Sequence, residues 1–290
     1  MAAKGLTANE MGARGPVKSP GILPGFGLTL GITMTYLSVM VLVPLSALII
    51  KGANIDPHTL IYQLSSRRVL SAFGVSISAS FYAAIFDAVF GLLVAWTLVR
   101  YRFIGKRLVD SLIDLPFALP TAVAGISLTT LYSNTGWLGK ILEPLGIKVA
   151  YTPMGISLAL AFIGLPFVVR TVQPVLEACS SEVEQAAASL GAPSKTIFTR
   201  VIFPEILPAI LTGSALAFAR GLGEYGSVVF ISGNMPLKTE IVPLLIMTKL
   251  EQFDYVSASA IAVVFLAISF LIVFTINLLQ WVGRKKYEAI

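Results

Sequence analysis

Reactive side chains are scarce in this chain of 290 residues. Cys179 is the only cysteine and His58 the only histidine, so neither an internal disulfide nor a Cys/His zinc cluster can form. There is no His-Glu-x-x-His and no Gly-x-Ser-x-Gly, which removes the usual metal-hydrolase pair and the nucleophile elbow. His58 reads as a solvated loop residue, and Cys179, close to Glu177, as a passive thiol near a helix end. Two glycine patterns resemble nucleotide sites and fail on context. Gly221, Gly223 and Gly226 satisfy GxGxxG, but that fingerprint needs a preceding strand and a βαβ unit, whereas here it lies inside an apolar segment. Gly221 and Gly223 read instead as residues that thin or unwind the segment so that neighbouring backbone can approach. Residues 12–19 imitate a phosphate loop, with Val17 where glycine is needed. The chain is therefore expected to bind no metal and no nucleotide cofactor, and not to be an enzyme. What remains is charge in an apolar setting. Arg220 and Glu224 are four apart, so in a helix they share a face and can pair. Asp87 is the lone acid of another apolar run and is expected to lie against a polar neighbour or near a pathway.

The elements that hold these residues follow from composition. Hydrophobic residues make up 56% of the chain and charged residues 12%, with a mean hydropathy of +0.84, whereas soluble domains carry about 25% charged residues. The relevant ruler is then the bilayer, where a spanning helix needs roughly 20 apolar residues. Six spans are expected, an all-α polytopic membrane protein: 29–50, 69–99, 111–132, 153–169, 204–231 and 256–282. Pro44 is placed to kink the first, and Pro116 and Pro120 to break the start of the third. Residues 232–255 read as a re-entrant or surface element. Residues 1–28 read as a flexible tail, 29–283 as the membrane domain and 284–290 as a basic terminus, with no cleavable leader. No internal repeat is visible. The formal charge of +6 reports topology rather than a nucleic-acid partner. Thirteen Lys and Arg collect on the side of both termini and the loop 170–204, against seven on the other side, which places the termini and that loop in the cytoplasm.

The loop is the most informative stretch. Ser181 and Glu184 have the S-x-x-E spacing of a capping box, so a helix is expected to start there. Ala186, Ala187, Ala188 and Leu190 propagate it. Gly191 followed by Pro193 stops it, the glycine supplying a left-handed turn. Ser194 is expected to cap a second helix with an apolar stripe of Ile197, Phe198, Val201 and Ile202, before Pro204 opens the next span. The product is a helix-turn-helix elbow at the cytoplasmic membrane face, two rods that move as one body.

Gln185-Ala186-Ala187-x3-Gly191, nine residues, then Val201-x-Phe203-Pro204 resembles the EAA loop of importer-type ABC permeases, E-A-A-x3-G-x9-I-x-L-P. Gln185 stands where that family has Glu, with Glu184 immediately before it, and Val201 and Phe203 replace Ile and Leu. The stretches 114–125 and 220–234 resemble sulfate permeases of the T-subunit (CysT) type, with a MetI-like transmembrane domain, and the resemblance runs from about residue 29 to 286. It implies a permease subunit for sulfate or thiosulfate in a bacterial inner membrane, or a plastid envelope. Its implied partners are a second, CysW-type permease, two cytosolic ATPases that hold ATP and Mg, an external sulfate-binding protein and the lipid bilayer. Under that resemblance Arg220 has two compatible roles: an ion pair that holds the bundle, and transient attraction for a divalent oxyanion passing a glycine-thinned helix. Thr121 and the backbone amides near Pro120 are further pathway-lining donors, and Asp87 has the wrong sign to bind sulfate. The competing expectations are a molybdate or tungstate permease of the same build, and a self-contained ion-coupled transporter with Asp87 and Glu224 as cation sites.

Overall fold

The computed structural model describes residues 26–288, with side chains through residue 280. The N-terminal tail through residue 25, including the stretch 12–19, and the side chains of Arg284, Lys285 and Lys286 lie outside the described residues. All regular elements among the described residues are helices. Five are long and apolar enough to cross a membrane: Phe26–Ala53, Arg67–Arg100, Pro153–Ala178, Ser194–Leu222 and Tyr255–Gln280. We number these the first, second, fourth, fifth and sixth spans. The segment expected as the third span is not among them: it is divided into Lys106–Ile113, Leu115–Ala118 and Thr121–Tyr132, the last break falling ahead of Pro120 because the residue before a proline is driven out of the helical region. Leu119 accordingly has ψ 136°.

Two units divide at Ile50 and Lys51. In the N-terminal one, the kink expected at Pro44 takes the form of a π-turn, Ser38–Leu42, closed by the Val43 amide on the Ser38 carbonyl. The same device recurs in the fifth span, where Phe198–Ile202 is a π-turn ahead of Pro204, closed by the Phe203 amide on the Phe198 carbonyl. A proline lacks the N–H for the carbonyl four residues back, and the wider turn shifts the register past it. The fifth span is therefore continuous through Pro204, where the sequence suggested a new helix.

The second unit is built on the second, fourth and fifth spans. Ser66 caps the second span by accepting a bond from the Val69 amide at 3.3 Å. Ala72, Ser76, Ala79, Ala83, Asp87, Gly91, Ala95 and Leu98 form its buried stripe, spaced three and four apart as one helix face requires. Small residues let the backbones close in, since without a hydrophobic force between helices in lipid, contact itself holds them. A Cβ on Gly91 would lie 2.7 Å from Val168 Cγ1, and one on Gly213 would lie 2.8 Å from Val168 Cα. At one end Leu98, Val172, Leu176, Ile202 and Ile206 make a core cluster; at the other, Val69, Phe218, Val242, Leu245 and Ile261 make a second.

Three expected boundaries move. The fourth span runs to Ala178, so residues 170–178, expected in the polar loop, are helical. The fifth span ends at Leu222, leaving Glu224 in a turn ahead of the short helix Val228–Ile231. Residues 232–255 contain a helix, Val242–Glu251, whose Val242, Leu244 and Leu245 are buried. It packs on the second and sixth spans, and the Val242 amide donates to Ser76 Oγ at 2.8 Å.

Candidate functional site

Arg220 occupies the last turn of the fifth span, and Glu224 the turn that follows. The expected pair forms, with Arg220 Nη1 to Glu224 Oε2 at 2.6 Å, although Glu224 is not helical. Its other oxygen, Oε1, accepts from the Ser227 amide at 2.9 Å and the Ser227 hydroxyl at 3.1 Å. With the Glu224 side chain 2% exposed, these donors replace water and satisfy a buried charge that would otherwise cost several kcal/mol. Arg220 is 37% exposed. The carboxylate is thus a structural tie for the turn, and the Arg220 side chain stays partly exposed.

The two glycines differ in their surroundings. A Cβ on Gly221 would meet Ser80 Oγ at 3.3 Å, where the fifth span crosses the second, while Gly223 has nothing within 4 Å. The same turn receives the third span. A Cβ on Gly226 would lie 2.1 Å from Thr121 Oγ1, and one on Gly125 would lie 2.4 Å from the Ser227 carbonyl oxygen. Pro120 precedes the helix Thr121–Tyr132 with no side chain capping its first amides. The structure therefore gathers Pro120, Thr121, Arg220, Gly221, Gly223 and Glu224 around one turn. Gly125 and Ser227, which meet there backbone to backbone, were not singled out by any local pattern.

Asp87 stands apart. It is fully buried, its Oδ2 lies against Gly164 beside Ala217, and neither carboxyl oxygen has a hydrogen-bond partner among the described residues. The residues shown against it, Gly164 and Ala217, are small and carry no side-chain donor.

The elbow is formed, with different caps. Ser180, not Ser181, is the N-cap of Ser181–Ser189, and its hydroxyl accepts from the Glu182 amide at 3.2 Å. Glu182 and Glu184 sit in the first turn, where a carboxylate favours the helix dipole. Gly191 has φ +84°, its amide bonds Ala188 O at 2.9 Å, and the Ala192 amide reaches Ala187 O at 3.1 Å. These bonds satisfy carbonyls that the helix end would leave open. The next helix starts behind Pro193, with Ser194 as its first residue rather than its cap, since proline's fixed φ already suits a helix start. Gln185 and Ala186 face solvent, as do Val183 and Leu190, 53% and 90% exposed. Val201 is half-buried and Ile202 joins the core, so the second arm of the elbow is rooted in the bundle.

Sequence reasoning missed the ion pairs between elements. Glu184 pairs with Arg100, at the end of the second span. Arg170 holds Asp114 by two bonds of 2.8 and 2.6 Å and Asp110 by one of 2.7 Å, anchoring the start of the broken third span to the fourth. At the other end Arg68 grips the buried Glu240 at 2.7 and 2.6 Å. Their sequence separations are 84, 56, 60 and 172 residues, so no local pattern could have paired them. Cys179, beside the elbow, has its thiol pushed up to about 11 by burial and by the neighbouring Glu205, which disfavours the reactive thiolate.

An all-α body with five membrane-length apolar helices, and a two-armed elbow tied to the ends of its spans, is a multi-pass membrane protein. The chain belongs to the family described as "Binding-protein-dependent transport system inner membrane component", which matches residues 87–285. It is 49% identical over 264 residues to a Salmonella typhimurium protein named sulfate transport system permease protein CysT, covering 91% of this chain and 95% of that one. It has the same identity and coverage with the Escherichia coli protein of that name, and 46% identity with the one from Synechocystis, over 88% and 89% of the two chains. Among solved structures, a bacterial ABC transporter involved in import of the acidic polysaccharide alginate superposes with a TM-score of 0.72 at 16% identity, over 88% of this chain and 94% of that one. The fold is that of ABC transporter permeases.

Proposed function

We propose that this chain is a membrane permease subunit of an ATP-driven importer for sulfate, and not itself an enzyme. The observation that carries the reading is the near-complete, 49% identity to permeases named for sulfate transport, joined to an elbow of the form such a subunit needs. The chain works beside a second related permease, with two cytosolic ATPases that hold ATP and Mg and an external binding protein that delivers the anion. It lies in a bacterial inner membrane with both termini and the elbow in the cytoplasm, a topology supported by the Lys and Arg distribution. The exposed Val183 and Leu190 of the elbow suit an apolar cleft on the ATPase. When ATP draws the ATPases together, the elbows follow, and the permease pair exchanges an inward-open for an outward-open state. Import is coupled because delivered anion and ATP favour the same conformer.

For a divalent oxyanion the cost of the crossing is desolvation, and Arg220 is a partly exposed cation beside the turn that follows the helix. Its attraction is transient because Glu224 competes for the same fork. Thr121 and the uncapped amides after Pro120 supply further donors at that turn.

The test is reconstitution. Proteoliposomes holding this chain with both ATPase copies, the second permease and the binding protein should accumulate labelled sulfate only with ATP, and excess thiosulfate should compete better than molybdate. Uptake by this chain without any ATPase would overturn the reading in favour of an ion-coupled transporter, and preferential competition by molybdate would move the substrate.

A further inference from the structure

Arg68 grips Glu240, and Arg170 grips Asp114, through paired N–H···O bonds. Two bonds in one plane fix orientation as well as distance. Arg100 is built differently. It reaches Glu184 through one terminal nitrogen, and its Nε is buried without a partner among the described residues. A single bond holds the two groups together while leaving their angle free. The other neighbour of this guanidinium is a ring: it lies over Trp96, 5.3 Å from the centroid. Trp96 in turn meets Phe198 edge-on at 5.3 Å. Glu184 belongs to the first arm of the elbow and Phe198 to the second. Both arms therefore converge on the last turns of the second span, whose Ala95 and Leu98 are packed with Ile202 and Ile206 in the core.

We propose that Arg100 and Trp96 form the joint through which the elbow moves the second span, with Arg100 as a positioning residue that keeps the elbow attached while it turns. The joint rests on the elbow being the docking site of an ATPase. A bidentate pair at this point would resist rotation; a loose contact would let the elbow move without the bundle. One charge-assisted bond beside a cation–π contact lies between these limits. The geometry makes a distinction that simple charge pairing does not: lysine should replace Arg100, because one N–H···O bond is all that is used, and should fail at Arg68, where two are.

The experiment has two readouts. In the reconstituted complex, Arg100→Gln and Glu184→Gln should each raise the ATP hydrolysed per sulfate imported by about fivefold or more. Arg100→Lys and the reversed pair R100E/E184R should keep that ratio within about twofold of wild type. In the isolated chain in nanodiscs, on a Cys179→Ser background, spin labels at the exposed Thr97→Cys and Ser189→Cys report the joint directly. Arg100→Gln should broaden their distance distribution, and Arg100→Lys and the reversed pair should leave it narrow. The joint is overturned if Arg100→Gln leaves that distribution unchanged, or if Arg100→Lys is as damaging as Arg100→Gln. It is also overturned if the variants lose only protein yield, with the ATP-to-sulfate ratio unmoved. The label measurement needs no ATPase, so a failed joint and a failed transport assignment give different results.

Discussion

Gly125→Ala tests whether the turn at Glu224 must keep its shape. The added Cβ would lie 2.4 Å from the Ser227 carbonyl oxygen and 2.7 Å from Ser227 Cα, whereas ordinary contact begins at 3.4 Å. Both obstacles are backbone, so no rotamer relieves them, and the third span must part from the turn by about 1 Å, an overpacking cost of about 1–3 kcal/mol. If Ser227 gives way instead, its amide, now 2.9 Å from Glu224 Oε1, moves to about 3.9 Å, outside hydrogen-bond range. That leaves a buried acceptor short of a donor, again about 1–3 kcal/mol. Either route disturbs the Arg220–Glu224 pair without touching it. In proteoliposomes with the partner subunits, matched for protein amount, sulfate uptake should fall by about fivefold or more, since one or two kcal/mol is a factor of about 5–30. The melting temperature of the purified chain should fall with it. Gly223→Ala is the control: it sits two residues before Tyr225, within the same glycine pattern, but with φ −89° and no atom within 4 Å of a new Cβ, and should retain uptake. Wild-type uptake and melting in Gly125→Ala, or equal damage from Gly223→Ala, would refute this account of the turn.

Gly191→Leu places a branched side chain at φ +84°, costing about 1–2 kcal/mol. Membrane insertion should persist while ATP hydrolysis no longer drives uptake, as measured by the ATP-to-sulfate ratio. Arg220→Ala should lower uptake more than Arg220→Lys, because the contact to Glu224 uses one nitrogen; equal loss would point to a role for the planar fork. Asp254, ahead of the sixth span, is held below the ordinary carboxylate range by hydrogen bonds from Ser257 and by Lys249. A depressed folded value stabilises above the unfolded one and is lost as pH falls through the folded one. Asp254→Asn should therefore lower the melting temperature at pH 7, with the gap to wild type closing below about pH 4.

What the sequence determined by itself is local. Apolar length placed the five long membrane helices, Pro120 marked a break ahead of Thr121–Tyr132, and Gly191 with Pro193 marked the elbow, because each effect is confined to one turn of backbone or to one stretch of hydropathy. Arg220 and Glu224 were legible as partners for the same reason, being four residues apart. Boundaries were less legible: the fourth span overran Arg170, and the fifth ran through Pro204, because burial in the bundle and a π-turn outweighed the local stop signals. Only the tertiary structure decided which charge answers which. Arg100 meets Glu184, Arg170 meets Asp114, and Arg68 meets Glu240 only because segments far apart in sequence are folded within reach. Only it decided, too, that Asp87 is enclosed by small residues while Gly125 touches Ser227. Such contacts depend on where separate helices cross, and a pattern along one chain segment carries no information about the distance to another.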